Sequence, residues 1–334
     1  MSSKSRPKII GHVWRRTGLL VAVAFFGYRY AMRLIRTLAV LLPLAASAVL
    51  CAEDFNRTLQ TSVTPHLSLN SGAGYIHLVV GSANGVRITG HVRKDSSWHF
   101  GNSEGDHLKL IVNNPPIEKT AEGVTIGRSN DRDLYQHITI DYDVTLPSGS
   151  SIEARSGSGD IRGHSFTGPL AAHTGSGDIE VGEIGNGARL DTGSGSIRAN
   201  NICDSVTARS RSGSGDIEVH QTVAGDLNAG TGSGSIRIQG ADGSLRASTG
   251  SGDIEIQGKI VSDWKVDTGS GSIRLNLGSD AHFGVAASTG SGNIRTEQQI
   301  VKRGLLNPHR FIGSVNGGGP IAHLQTGSGD IQIR

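Results

Sequence analysis

Aromatic residues make up only 4% of this 334-residue chain, and cysteine occurs twice. So few large rings argue against a thick globular core and suit a thin, repetitive one. Cys51 lies near the start and Cys203 stands alone far downstream, so no disulfide framework is expected. A strong charge of either sign is also missing. Lys and Arg number 32 against 29 Asp and Glu, and six of the basic residues (Lys4, Arg6, Lys8, Arg15, Arg16, Arg29) precede Met32. Without them the balance is near neutral, which removes the electrostatic footprint of a nucleic-acid partner. Long hydrophobic runs are lacking too. The stretch Leu19–Gly27 is too short to span a bilayer, and no stable membrane span is expected in the mature chain.

Glycine, by contrast, is abundant, with 48 residues, and it is organised. The phrase Ser/Thr-Gly-Ser-Gly-Asp/Ser-Ile occurs nine times, starting at Ser156, Thr174, Thr192, Ser212, Thr231, Thr249, Thr268, Thr289 and Thr326, the eighth with Asn293 at the fifth position. Spacings are 18, 18, 20, 19, 18, 19, 21 and 37 residues, the last close to two periods. A repeat of this length marks a stacked architecture. In Leu245–Gln257, Leu245, Ala247 and Thr249 share one face of an extended strand, and Ile254 and Ile256 share another. Five residues separate Thr249 from Ile254, so the glycines must reset the alternation at a corner, through backbone conformations open to glycine. Each repeat therefore reads strand, corner, strand, looser turn. The predicted fold is all-β: a single-stranded parallel β-helix (β-solenoid), taken as right-handed, of about ten rungs of 18–20 residues.

Two ladders follow from stacking. The residue after the ladder isoleucine runs Glu180, Arg198, Glu218, Arg237, Glu255, Arg274, so signs alternate from rung to rung and each Glu lies between two Arg. The corner position runs Asp160, Asp178, Ser196, Asp216, Ser235, Asp253, Ser272, Asn293, Asp330, expected to bond its own turn backbone. Opposite charges on neighbouring strands favour this register and like charges oppose it.

Around the repeats, residues 1–52 read as an export leader. Met32 begins a basic segment (Arg33, Arg36), an apolar stretch from Leu38 to Leu50 and small residues before Glu53-Asp54, which is a secretory signal peptide. Cleavage is expected after Ala48 or Ala52, with Met32 as the true start. A lipoprotein site at Cys51 fits less well because Leu50 is not small. Residues 53–150 are an irregular β cap with the first rungs, including a degenerate tenth phrase at Ser71–Ile76 and expected strands at Leu108–Val112 and Ile138–Leu146; Asp95–Asp106 reads as a loop. Residues 151–334 are the regular solenoid, with an insertion at 300–313 and a worn phrase at Asn316–Ile321. Nothing after Ile333 could cover the last rung, so an open edge is expected there unless the insertion folds over it.

These residues resemble a bacterial family of unknown function. The GSGDI phrases, the Tyr142–Pro147 stretch (Tyr-Asp-Val-Thr-Leu-Pro) and the signal peptide are similar to those of proteins labelled candidate adhesins, akin to autotransporter adhesin head domains. The resemblance covers about residues 55–334. It implies an exported parallel β-helix with adhesion attached to the fold class, and it brings no catalytic residues.

Site chemistry is sparse. Calcium-binding repeats carry an Asp every nine residues, whereas here Asp recurs on alternate rungs, about 10 Å apart, too far to converge on one ion. Asp131, Asp133, Asp141 and Asp143 are the candidate carboxylates outside the ladders; Asp141 and Asp143 share a strand face with Thr139, read as solvated rather than as a glycosidase pair. Trp98, beside His99 and Phe100, is the exposed aromatic candidate for ligand contact. The thirteen histidines form no metal motif, and no phosphate loop or nucleophile elbow occurs. No cofactor, metal or catalytic residue is expected. The function read from sequence is a non-enzymatic adhesin-like interaction protein of the cell surface or periplasm, binding an unknown protein or glycan. The alternative is an envelope scaffold that self-associates through its C-terminal rung; a polysaccharide-acting enzyme comes third.

Overall fold

The structure, a computed structural model, describes residues 52–82, 84–94, 104–127, 133–210, 213–302 and 309–334. The leader and Trp98 lie outside them. Ala52–Arg334 forms one compact unit built of two sheets, of 13 and 14 strands. Each regular repeat gives one strand to each sheet. The strand before the phrase, such as Leu245–Thr249, joins what we term the threonine sheet; the strand after it, such as Ile254–Lys259, joins the isoleucine sheet. Neighbouring repeats pair in parallel and in register, Ile179 beside Ile197 and Thr174 beside Thr192. The chain is an all-β solenoid with eleven two-strand rungs among the described residues.

Inward positions form the expected ladders. Ile161, Ile179, Ile197, Ile217, Ile236, Ile254, Ile273 and Ile331 are all buried, facing Leu170, Leu190, Leu227, Leu245, Val266 and Leu324 of the other sheet. Trp264 enters the core because its indole Nε1 donates to Gly243 O at 3.0 Å, satisfying the ring's polar atom. The corner threonines are buried as well, and their hydroxyls serve two rungs at once: Thr249 Oγ1 donates to Gly234 O of the preceding rung at 2.9 Å and accepts from Gly252 N of its own corner at 3.2 Å.

The glycines of the phrase are there for a different reason than expected. None of those described has a positive φ. What excludes a side chain is the rung below: a Cβ on Gly252 would lie 1.9 Å from Gly234 O, and one on Gly271 would lie 2.0 Å from Gly252 O. Successive corners nest carbonyl against Cα, so the constraint comes from stacking.

The ends depart most from the sequence reading. The tenth phrase joins His66–Ser71 to Ile76–Val80, and this rung stacks directly on Ser151–Ser156 and Ile161–His164. The chain between them runs outward, building a further rung from Gly123–Ile126 and Ile138–Leu146. Strands Gly85–Lys94 and Ala52–Gln60 then extend the isoleucine sheet antiparallel. Leu108–Val112, expected as a strand, belongs to helix α1, Glu104–Asn113. Leu108 and Ile111, three apart, are buried while Leu110 is exposed, a helical spacing; Arg57 Nη2 donates to the helix's last carbonyls, Val112 O at 3.4 Å and Asn113 O at 3.1 Å.

At the other end the expected open edge at Ile333 does not exist. The last copy, Ile321–Thr326 and Ile331–Ile333, is inserted between Trp264–Leu277 and Phe283–Thr296. The chain skips one rung after Leu277, builds the outermost rung, reverses through Arg310–Val315 antiparallel to Phe283–Thr289, and returns to fill the gap. Asn316–Ile321 is therefore no corner between sheets. Its positive φ values at Asn316, Gly317 and Gly318 form the turn that carries the chain over Phe283–Thr289. The edges at this end are Ile294–Thr296 and Ile300–Lys302.

Candidate functional site: the outer face of the isoleucine sheet

Side chains pointing away from the core of the isoleucine sheet form a continuous charged row. Glu180 lies beside Arg198, then Glu218, Arg237, Glu255 and Arg274, and Arg162 extends the row before Glu180. Contacts form in pairs: Arg162 Nε to Glu180 Oε2 at 3.5 Å, Arg198 Nε to Glu218 Oε2 at 4.0 Å and Arg237 Nε to Glu255 Oε2 at 3.6 Å. Arg274 turns to Asp253 Oδ2 at 3.4 Å. All are half exposed and their pairing is solvent-screened.

The corner carboxylates act between rungs, whereas a bond to their own turn was expected. Asp160 Oδ1 accepts from Asp178 N at 3.0 Å, Asp178 from Ser196 N, Asp216 from Ser235 N and Asp253 from Ser272 N, the last three at 2.8 Å. Ser196 Oγ accepts from Asp216 N at 3.3 Å, and Asp330 Oδ1 accepts from Asn293 N at 2.8 Å. Each fills a backbone donor that a turn would otherwise leave unpaired. Among the described residues no group of three or more His, Cys, Asp or Glu side chains is placed to hold a metal ion.

The first rungs carry the densest polar cluster. Asp141 is buried, not solvated as expected: Oδ1 accepts from Tyr75 N at 3.0 Å and Oδ2 pairs with Arg93. Asp143, two residues on, is bridged by two histidines, His77 Nδ1 to Oδ1 and His91 Nε2 to Oδ2, both at 3.0 Å, and Tyr75 Oη donates to Oδ2 at 3.4 Å. The other ring nitrogen of His91 meets Asp54 Oδ1 at 2.9 Å. Only the imidazolium donates from both nitrogens. Partial burial works against that charge, but hydrogen bonds and the charges of Asp54 and Asp143 outweigh it and raise the His91 pKa. Burial, then Asp143 and Asp141, raises that of Tyr75. With the oxygens of both carboxylates engaged, the pair resembles a strand clasp more than an acid and its base. Asp131 lies outside the described residues, and Asp133 sits on an exposed turn. Sequence reading missed the cluster because its members come from strands 37 to 66 residues apart; the signal was His77 and Asp143 on outward positions of strands that pair. Cys203 is exposed, its Sγ 3.7 Å from Thr222 Oγ1.

No curated protein is significantly similar to the chain. Solved structures are similar at low identity. A candidate adhesin from Bacteroides fragilis is 15% identical with a TM-score of 0.36, over 84% of this chain and 97% of that one. A candidate cell adhesion protein from Clostridium sporogenes is 11% identical with a TM-score of 0.19, over 84% and 98%. A candidate lipid-binding protein from Parabacteroides distasonis is 13% identical with a TM-score of 0.41, over 84% and 97%. A family match covers nearly all of the described unit, residues 60–334, and by it the chain belongs to the Toastrack DUF4097 family.

Proposed function

We propose that the protein is an exported, non-enzymatic, adhesin-like interaction protein of the cell surface or periplasm. The observation that carries this reading is the isoleucine sheet's outer face. From Arg162 to Arg274 it offers one exposed charged side chain per rung in unbroken register, a long flat surface with its charges paired. Such a face suits extended contact with a protein or glycan, and the Met32–Ala52 segment supplies the export signal. Protease shaving of intact cells carrying a tag between Lys302 and His309 tests it. Loss of the tag with a periplasmic marker intact places the protein on the surface and supports adhesion; a protected tag removes adhesion and leaves a periplasmic partner.

The strands Ile294–Thr296 and Ile300–Lys302, at the sheet edges among the described residues, favour a second reading, a scaffold that self-associates through this end instead of through Ile333. Light scattering would then show size growing with concentration, and Arg295→Pro would abolish the growth.

A further inference from the structure

The two sheets treat their outward charges in opposite ways. On the isoleucine sheet every arginine of the charged row from Arg162 to Arg274 has a carboxylate within 4.0 Å. On the threonine sheet one outward position runs Arg246, Lys265, His323 through three adjacent strands, in register. Neighbours on this row stand about 4.8 Å apart, and the like charges of Arg246 and Lys265 so placed are destabilising. Lys265 keeps one acid, Asp267 Oδ2 at 3.7 Å from its Nζ. The side chains of Arg246 and His323 have no ion-pair or hydrogen-bond partner among the described residues. Beyond His323 the next strand, Phe283–Thr289, turns out only Gly284, Ala286 and Ser288 in the same stretch, a trough of small side chains. Its far wall is Arg310–Val315, where Arg310 stands opposite Ser288, exposed and again without a side-chain partner among the described residues. Lys265, His323 and Arg310 all line the resulting hollow of about 590 Å³.

We infer that this row binds an acidic polysaccharide, a chain with a carboxylate on each sugar ring, laid across the strands from Arg246 to Arg310. Charge complementarity carries the inference. A ligand carboxylate between Arg246 and Lys265 relieves a repulsion that the fold leaves uncompensated, and a guanidinium offers it paired donors. Acidic residues outnumber basic ones from Glu53 to Arg334, so the row is not one part of a general positive surface. Spacing selects the kind of chain. One pyranose ring is about as long as one strand spacing, so successive rings keep step with successive cations. The flexible stems of Arg246 and Lys265 follow carboxylates that alternate between the edges of such a chain. An extended acidic peptide repeats its side chains on one face every ~6.7 Å and falls out of step. Single-stranded nucleic acid binds by stacking its bases on aromatic rings, and no Phe, Tyr or Trp stands exposed on these five strands. The row lies on the other sheet from the face that carries the adhesin-like reading, and it holds or fails apart from that reading.

The test is calorimetric titration of the intact protein at low salt with hexagalacturonate and hexaguluronate, with cellohexaose as the neutral control. At least one hexuronate should bind, more weakly in 1 M NaCl as screening shortens the attraction, and cellohexaose should not. Arg246→Gln and Arg310→Gln should each weaken binding about three- to tenfold with no loss in Tm, since neither side chain has a partner in the fold to lose. Lys109→Gln, exposed on helix α1, should leave binding unchanged. Binding by neither hexuronate overturns the inference, as does binding that both arginine variants leave intact, or cellohexaose binding as tightly. Hexaglutamate or a short polyphosphate binding more tightly than either hexuronate overturns the polysaccharide assignment and gives the row to a peptide or a phosphate polymer. Protease shaving of cells bears on the adhesin-like reading alone, so failure in the calorimeter leaves that reading standing.

Discussion

Gly252 has room for a hydrogen and nothing larger, because Gly234 O of the rung below sits where a Cβ would go. Gly252→Ala should cost about 1–3 kcal/mol, the range of an overpacked core. Gly72, in the degenerate phrase, meets nothing within 4 Å, so Gly72→Ala should leave urea unfolding almost unchanged; equal losses at both sites would contradict the nesting of corners. Thr249→Val keeps the shape but strips Gly234 O and Gly252 N of a buried partner, and should lower stability by about 1–3 kcal/mol. At this scale the sequence was readable in its pattern and misread in its cause. The glycine period marked the corners, yet their lack of positive φ could not be read from one repeat, since what excludes Cβ is the next rung.

Between neighbouring strands, register can be tested with charge. Glu218→Arg would set a third positive charge between Arg198 and Arg237, its partners on the two flanking strands. The expected loss is about 1 kcal/mol or less at low salt, shrinking in 1 M NaCl as screening shortens the repulsion. An unchanged Tm at low salt would contradict the pairing. Strand Ala52–Gln60 is clasped to the sheet through His91, whose folded-state pKa is raised by Asp54 and Asp143. A raised histidine pKa stabilises fully below the unfolded value of about 6.5 and loses that contribution as pH rises through the folded value. Hydrogen exchange in Ala52–Gln60 should therefore quicken, beyond the intrinsic chemical rate, above pH 6.5, and His91→Gln should remove that dependence. Elements were legible where period 2 was unbroken. Leu108–Val112 misled because five apolar-rich residues fit either period, and what settled it was burial of Leu108 and Ile111 together.

At the scale of the whole unit, order along the chain and order along the stack part company at both ends. The sequence carried a mark of this that linear reading passed over. Sign alternation fails from Arg274 to Arg295, two arginines in successive phrases, and is relieved in space because Gln332 lies between them. The corner row tells the same story: Asp330 follows Ser272 in the stack and precedes Asn293. Deleting residues 321–334 should thus remove an interior layer, not a terminal one. The prediction is loss of protection throughout Trp264–Thr296 in hydrogen exchange; protection confined in its loss to one edge strand would refute the insertion.

The tucked-in last strand also sets a timetable. A ribosome delivers residues in order, and a simple solenoid could zip shut layer by layer behind it. Here Phe283–Thr296 has no seat on the stack until Ile321–Ile333 has been made, so those thirteen residues act as a keystone, and the far end of the stack waits open for them.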